Sequence, residues 1–240
     1  MNPRRILASV LLVAIILPIM SCVFLRLHKV QNQLKSFEEN FELNDEGGLT
    51  LVFLNPVLKS DDMVWLMKNG PYSVKEKERE ELWTYVFEKQ YLLSNDENGE
   101  YDIPVLMVMR EDMVAEITFP ERFLKNLSIP LLKRMFSSMG DADISKLKKS
   151  ASSEFKGDNP DEIPKMENIV ETLGQPYDTE QSDKSTKFTY LYYLKSDVPV
   201  SGSNDFEFKT EFVFSKDDKA LQKATGTIRG LSMSLDFSRN

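Results

Sequence analysis

Three spacings of apolar residues divide the chain. From Ile6 to Leu25 the run ILASVLLVAIILPIMSCVFL is unbroken and uncharged, with Arg4 and Arg5 before it and Arg26 after it. From Val23 the spacing becomes helical: Val23, Leu27, Val30, Leu34, Phe37 and Phe41 recur in steps of four and three. Further on the period shortens to two. Trp83, Tyr85 and Phe87, then Phe188, Tyr190 and Tyr192, then Phe206, Phe208, Phe212 and Phe214 alternate with more polar neighbours, the pattern of strands with one face buried.

The unbroken run is long enough to cross the ~30 Å hydrocarbon core as a helix, or to serve as a secretory signal. Two readings of residues 1–25 fit. In one, Arg4 and Arg5 form the charged region and Ile6–Leu17 the apolar region of a lipoprotein signal. Ile19-Met20-Ser21-Cys22 then resembles the lipobox of the bacterial lipoprotein signal class. That resemblance implies cleavage before Cys22, the only cysteine in the chain, and acylation on it. In the other, the run stays uncleaved as a signal anchor. Val23, Phe24 and Leu25 continue it where a lipoprotein has a polar tether, and Pro18 is tolerable in a membrane helix. In both, the paired arginines place residues 26–240 outside the cytoplasm, in a bacterial envelope and on its periplasmic side. The stripe at Val23–Phe41 can pack on its own domain or dimerise.

An internal repeat follows. Gly70-Pro71-Tyr72 precedes Trp83-Thr84-Tyr85-Val86-Phe87, and Gln175-Pro176-Tyr177 precedes Phe188-Thr189-Tyr190-Leu191-Tyr192. Tyr72 and Tyr177, Thr84 and Thr189, and Tyr85 and Tyr190 are each 105 residues apart, and the spacing persists to Asp112 and Asp217. In the second copy Ala142–Phe155 reads as a helix through Ile144, Leu147 and Ala151. Glu162–Leu173 reads as another, stopped by Gly174 and Pro176. Strands follow near Phe188–Leu194, Phe206–Phe214 and Leu221–Phe237. In the first copy Val23–Phe41 is the first helix, Leu49–Leu54 a strand or buried connector, and Asp61 or Asp62 caps a helix through Met67. Strands follow at Leu82–Tyr91, Ile103–Met109 and Met113–Phe119. Pro120–Met139 adds a helical segment broken at Pro130, and Gly140-Asp141 marks a boundary. The expected fold class is α+β: an anchor over 1–25, then two helix–helix–three-stranded antiparallel meander units over 26–140 and 141–240.

Ile169-Val170-Glu171-Thr172-Leu173-Gly174-Gln175-Pro176 leading to an aromatic strand resembles the small lipoproteins of the outer-membrane barrel-assembly machinery and the similar β-lactamase inhibitory proteins, the latter with two such units in tandem. The resemblance covers chiefly Ile163–Phe237 and implies a protein-binding role without catalysis. In the first copy Gly70 directly abuts Pro71, a departure from that pattern.

A net charge of −8, with Arg4, Arg5 and Arg26 in or beside the anchor, leaves the exported part acidic and argues against nucleic-acid binding. One cysteine excludes an intrachain disulfide framework and any Cys-rich zinc site. His28, the only histidine, lies just beyond the apolar run at the membrane surface; a triad would need it, but nothing in the exported body is obliged to reach it, and it reads as an interfacial residue. Ser201-Gly202-Ser203 lacks the strand–turn–helix context of a nucleophile elbow. Asp61-Asp62 reads as a helix cap and Asp217-Asp218 as a turn. Asp96–Asp102 has Tyr101 where a calcium loop needs glycine, and Asn126-Leu127-Ser128 is incidental in a bacterial protein. Neither a cofactor nor a metal is expected.

The aromatic strands remain. Covered by helices, their rings are core; left open, that face would be a docking surface. Tyr91 and Tyr193 are expected on the opposite face, as binding contacts. The leading expectation is a membrane-anchored envelope protein that binds other proteins as a scaffold or assembly module, and is not an enzyme. The alternatives are an inhibitor or immunity protein presenting an acidic loop near Ser94–Tyr101, and a hydrolase using paired carboxylates.

Overall fold

In a computed structural model, the described residues are 23–92, 99–145, 150–155, 162–195, 208–228 and 230–237. The run before Val23, Cys22 with its lipobox, and Ser201-Gly202-Ser203 lie outside them. Among the described residues no helix is long and apolar enough to cross a membrane.

Helix α1 covers 23–35 and turns at Ser36. A four-residue α2 (Phe37–Asn40) then feeds β1 (Phe41–Asn44). The stripe packs on its own body: Val23, Phe37 and Phe41 are buried, and Leu27, Val30 and Leu34 lie against the core. β2 (Leu49–Phe53), α3 (Ser60–Met67), β3 (Ser73–Lys77), β4 (Glu80–Lys89), β5 (Ile103–Arg110) and β6 (Met113–Phe119) follow. A 3-10 turn at Glu121–Lys125 leads to α4 (Ile129–Gly140), whose second residue is Pro130, a place where the missing amide costs nothing. Then come β7 (Asp143–Ser145), β8 (Ser150–Glu154), α5 (Met166–Leu173), β9 (Asp178–Gln181), β10 (Ser185–Leu194), β11 (Phe208–Ser215), β12 (Leu221–Ile228) and β13 (Leu231–Asp236).

The expected pair of helix–helix–meander units does not form. The strands make one thirteen-stranded sheet in the order β1-β2-β6-β5-β4-β10-β11-β12-β13-β8-β7, with β3 on β4 and β9 on β10. The elements repeated in each half are one short helix and four strands (α3 with β3–β6, α5 with β9–β12) in place of two helices and three, and five further strands complete the sheet. The main departure is Ala142–Phe155, read as a helix. There β8 adds in parallel to β13, Ser232 opposite Ser150 through Asp236 opposite Glu154, and β7 closes on β8. Ile144, on the supposed helical stripe, is solvent-exposed. A ladder for the backbone of β13, and burial of Phe155 against Phe237 (ring centroids 4.9 Å apart), outweigh the helical spacing of three residues.

Within this sheet the halves correspond in detail. β4 and β10, and β5 and β11, begin and end 105 residues apart. The amides of Tyr72 and Tyr177 donate to the carbonyls of Thr84 and Thr189, both at 2.8 Å. The Tyr85 and Tyr190 hydroxyls donate to the carbonyls of Asn69 and Gly174. A register shift falls between Val108 and Met109 and again between Val213 and Phe214. The halves meet where equivalent strands pair antiparallel: Phe87 opposite Leu194, Glu88 opposite Tyr193, Lys89 opposite Tyr192. Exchanging equivalent residues maps this junction onto itself, a local two-fold relation through Glu88 and Tyr193.

The core lies on one face of the sheet. Trp83, Tyr85, Phe87, Phe188, Tyr190, Tyr192 and Phe214 are buried there. The rings stack edge-on, as in Tyr190–Phe212 at 5.8 Å and Phe188–Phe214 at 5.2 Å.

Candidate functional site

The strand residues between those rings point the other way. On β4 they are Leu82, Thr84, Val86 and Glu88; on β5, Pro104, Leu106, Val108 and Arg110. Register brings them together: Leu82 faces Val108, Thr84 faces Leu106, and Val86 faces Pro104. Val108 in turn faces Glu116 on β6, and Glu116 faces Val52 on β2. Leu82, Val86, Val108 and Val52 are half-buried and Leu106 is 37 % exposed. None of these five belongs to the core cluster or packs against it. They form an aliphatic stripe on the outer face of the first half.

Ion pairs cross and border the stripe, with Glu116 standing within it between Val108 and Val52. Arg110 bridges Glu80 at 2.5 Å and Glu116 at 2.6 Å, and its proton is held more tightly because of these carboxylates, Glu80 foremost. Lys195 bonds Glu88 at 2.9 Å, which raises its pKa, and lies over the Tyr72 ring. Such exposed pairs are worth at most about 1 kcal/mol each.

The second half presents different chemistry at equivalent places. Lys187 stands where Leu82 does and Glu211 where Leu106 does. There Lys187 pairs with Glu180 at 2.5 Å and Glu211 at 3.7 Å, and Lys209 with Glu211 at 2.8 Å. Lys209 chiefly holds the Glu211 carboxyl below its usual range.

Tyr193 lies half-buried on this outer side, opposite Glu88 on the local two-fold. Tyr91 does not share its face. It has the parity of Phe87, and its ring lies 4.9 Å from Lys89 Nζ, on the covered side. Lys89 is buried there, its ammonium also over Tyr101 and Tyr190 and donating to the Leu173 carbonyl at 2.5 Å. Arg122 donates to the Thr172 and Asp102 carbonyls at 3.0 and 2.6 Å, and its burial lowers its pKa. Both cations thus cap the C-terminus of α5, where the helix dipole favours positive charge.

Asp62 is buried. It accepts the Lys59 amide at 2.8 Å and two bonds from Arg26, each 2.5 Å, so it caps α3 and docks α1. Asp218 accepts the Ala220 amide in a turn. His28 is exposed and contacts Gln31. Most of the Ser94–Tyr101 loop lies outside the described residues. Among the described residues no group of three or more His, Cys, Asp or Glu could hold a metal.

The aliphatic stripe is not among the contacts expected from the sequence, where the aromatic periodicity is the stronger pattern. Its signal is nevertheless present: Ile103–Met109 is apolar at both parities, as a strand used on both faces must be. No family model, curated protein or solved structure matches the chain.

Proposed function

We propose that this chain is a membrane-anchored protein of the bacterial envelope, with residues 26–240 outside the cytoplasm, that acts without catalysis by binding another protein as a scaffold or assembly module. One observation carries the reading. The two halves keep aromatic cores at equivalent positions, and Val86 and Val108 are matched by Leu191 and Val213 on the outer face, yet Leu82 and Leu106 of the first half give way to Lys187 and Glu211 in the second. Folding alone does not require that difference, because the charged version supports the same strands. Exposed aliphatic side chains beside paired charges suit a protein-docking patch. Tyr193 at its edge adds an aromatic contact.

The test gives the first half the second half's residues, Leu82→Lys with Leu106→Glu. The expected result is a melting temperature within about 3 °C of the parent, since surface changes shift stability by about 0.5 kcal/mol. A protein recovered with the parent from crosslinked envelopes is expected to be lost with the variant. Recovery of the same protein by a folded variant refutes the assignment of this face.

A further inference from the structure

The apolar run and the folded body overlap. The run ends at Leu25, yet Val23 is already buried in the body. No tether separates the two, so whatever holds the run holds the body against it. At that end Phe24 and Leu25 are 48 % and 59 % exposed. Phe24 meets the Trp65 ring of α3 edge-on, centroids 5.6 Å apart, and Val64 beside Trp65 is exposed as well. The two Arg26–Asp62 bonds fix α1 on α3, and the Phe24–Trp65 contact joins the exposed neighbours Leu25 and Val64 at the same end of the two helices. One turn further along α1, His28 and Lys29 are exposed, at the level where polar headgroups would begin.

We propose that Phe24, Leu25, Val64 and Trp65 are a bilayer-contacting surface, set into the boundary between headgroups and acyl chains, and that α3 therefore acts as a second, non-covalent membrane contact. The occupant is lipid because Phe24 and Leu25 are themselves the last two residues of the twenty-residue uncharged run, because tryptophan favours that depth, and because Arg26, next to them on α1, is paired with Asp62, while Asp61 and Lys68, exposed one turn either side on α3, would lie at headgroup level. The inference rests on the anchored reading above and holds for an acylated Cys22 or an uncleaved helix alike.

The test uses the full chain in phosphatidylcholine vesicles, plain or brominated near the glycerol. The chain has two tryptophans, and Trp83 is buried; subtracting the spectrum of Trp65→Phe isolates Trp65. Flotation is scored in the same samples. Trp65 emission is expected to fall about twofold in brominated vesicles, as for a ring buried some 5–10 Å into the interface. Leu25→Glu with Val64→Glu is expected to abolish the quenching while the protein still floats. Equal Trp65 emission in both vesicles, with the protein floating, overturns the bilayer contact and leaves the anchor standing. That is also the result if residues 6–22 fold back over the patch. Failure to float overturns the anchored reading itself.

Discussion

The bond between Arg26 and Asp62 decides whether α1 is part of the fold or merely leads into it. Asp62 is almost wholly buried and Arg26 is about one-quarter exposed. Breaking a buried pair by removing one partner costs about 3–5 kcal/mol. The partial exposure of Arg26 places Asp62→Ala near the low end, about 3 kcal/mol, and loss of the cap on the Lys59 amide adds about 1 kcal/mol. At about 2–4 °C per kcal/mol for a body of this size, the melting temperature should fall by roughly 8–16 °C. Arg26→Leu should cost somewhat less, since Asp62 keeps the Lys59 amide as a donor. In the double variant Arg26→Leu/Asp62→Ala no charge is left stranded, so it should be about 2 kcal/mol more stable than the sum of the single losses. Circular-dichroism melts of the full chain in detergent measure all four corners of the cycle. Losses under 0.5 kcal/mol, or simple additivity, would refute the claim that this pair fastens α1 to α3.

Two other outcomes follow from close packing and from buried hydroxyls. A Cβ on Gly140 would stand 2.5 Å from the Lys35 amide nitrogen and 2.7 Å from the Leu34 carbonyl carbon, both backbone atoms. Gly140→Ala should therefore cost about 2–3 kcal/mol and raise hydrogen exchange in 23–35, whereas Gly70→Ala, with open space around it, should be near neutral. Burial raises the Tyr85 hydroxyl to about 12 and pushes Tyr190 and Tyr192 higher still. Their folded values lie above the unfolded value of about 10, so their contribution is complete below pH 10. It is lost at about 1.4 kcal/mol per pH unit per tyrosine as pH rises toward 12. Unfolding midpoints from pH 9 to 11.5 check this; a flat profile contradicts the burial of these hydroxyls.

Strand pairing by period two was legible in the sequence: Trp83, Tyr85 and Phe87 announce β4, and the spacing of 105 residues foreshadows the equivalent registers of β4 and β10. Helix ends were legible where chemistry punctuates them, as at Gly174 after α5. What escaped was non-local. Ala142–Phe155 carries a helix-like spacing too short to outweigh a parallel partner in β13, more than 75 residues on. The join through Glu88 and Tyr193 has no local signature, because it depends on the two-fold relation between halves. Tyr91 was placed on the wrong face although its parity with Phe87 gives the right one. Lys89 shares that parity, and a lone lysine among rings signals a buried cation whose acceptor lies elsewhere in the chain.

Lys89 and Arg122 add to the three-pair junction between the two half-sheets. Both belong to the first half, and both end on carbonyls at the last turn of α5 in the second. Lys89 has no counterpart across the local two-fold, since its equivalent is Leu194. These two cations of the first half thus grip a helix of the second, beside bonds that run the other way: the Asn168 side-chain amide donates to Asn126 Oδ1 at 2.8 Å and the Ser153 hydroxyl donates to the Ser138 carbonyl. The halves also differ in the proposed surfaces. α1 and α3, set against the bilayer, and β4 and β5, carrying the aliphatic stripe, all belong to the first half. The second half pairs with the free end of β4 and is gripped at α5, and its own outer face is neutralised by ion pairs. Under the two proposals above, both the membrane contact and the partner contact would fall to the first half, whose own strands and helices would set the angle between them.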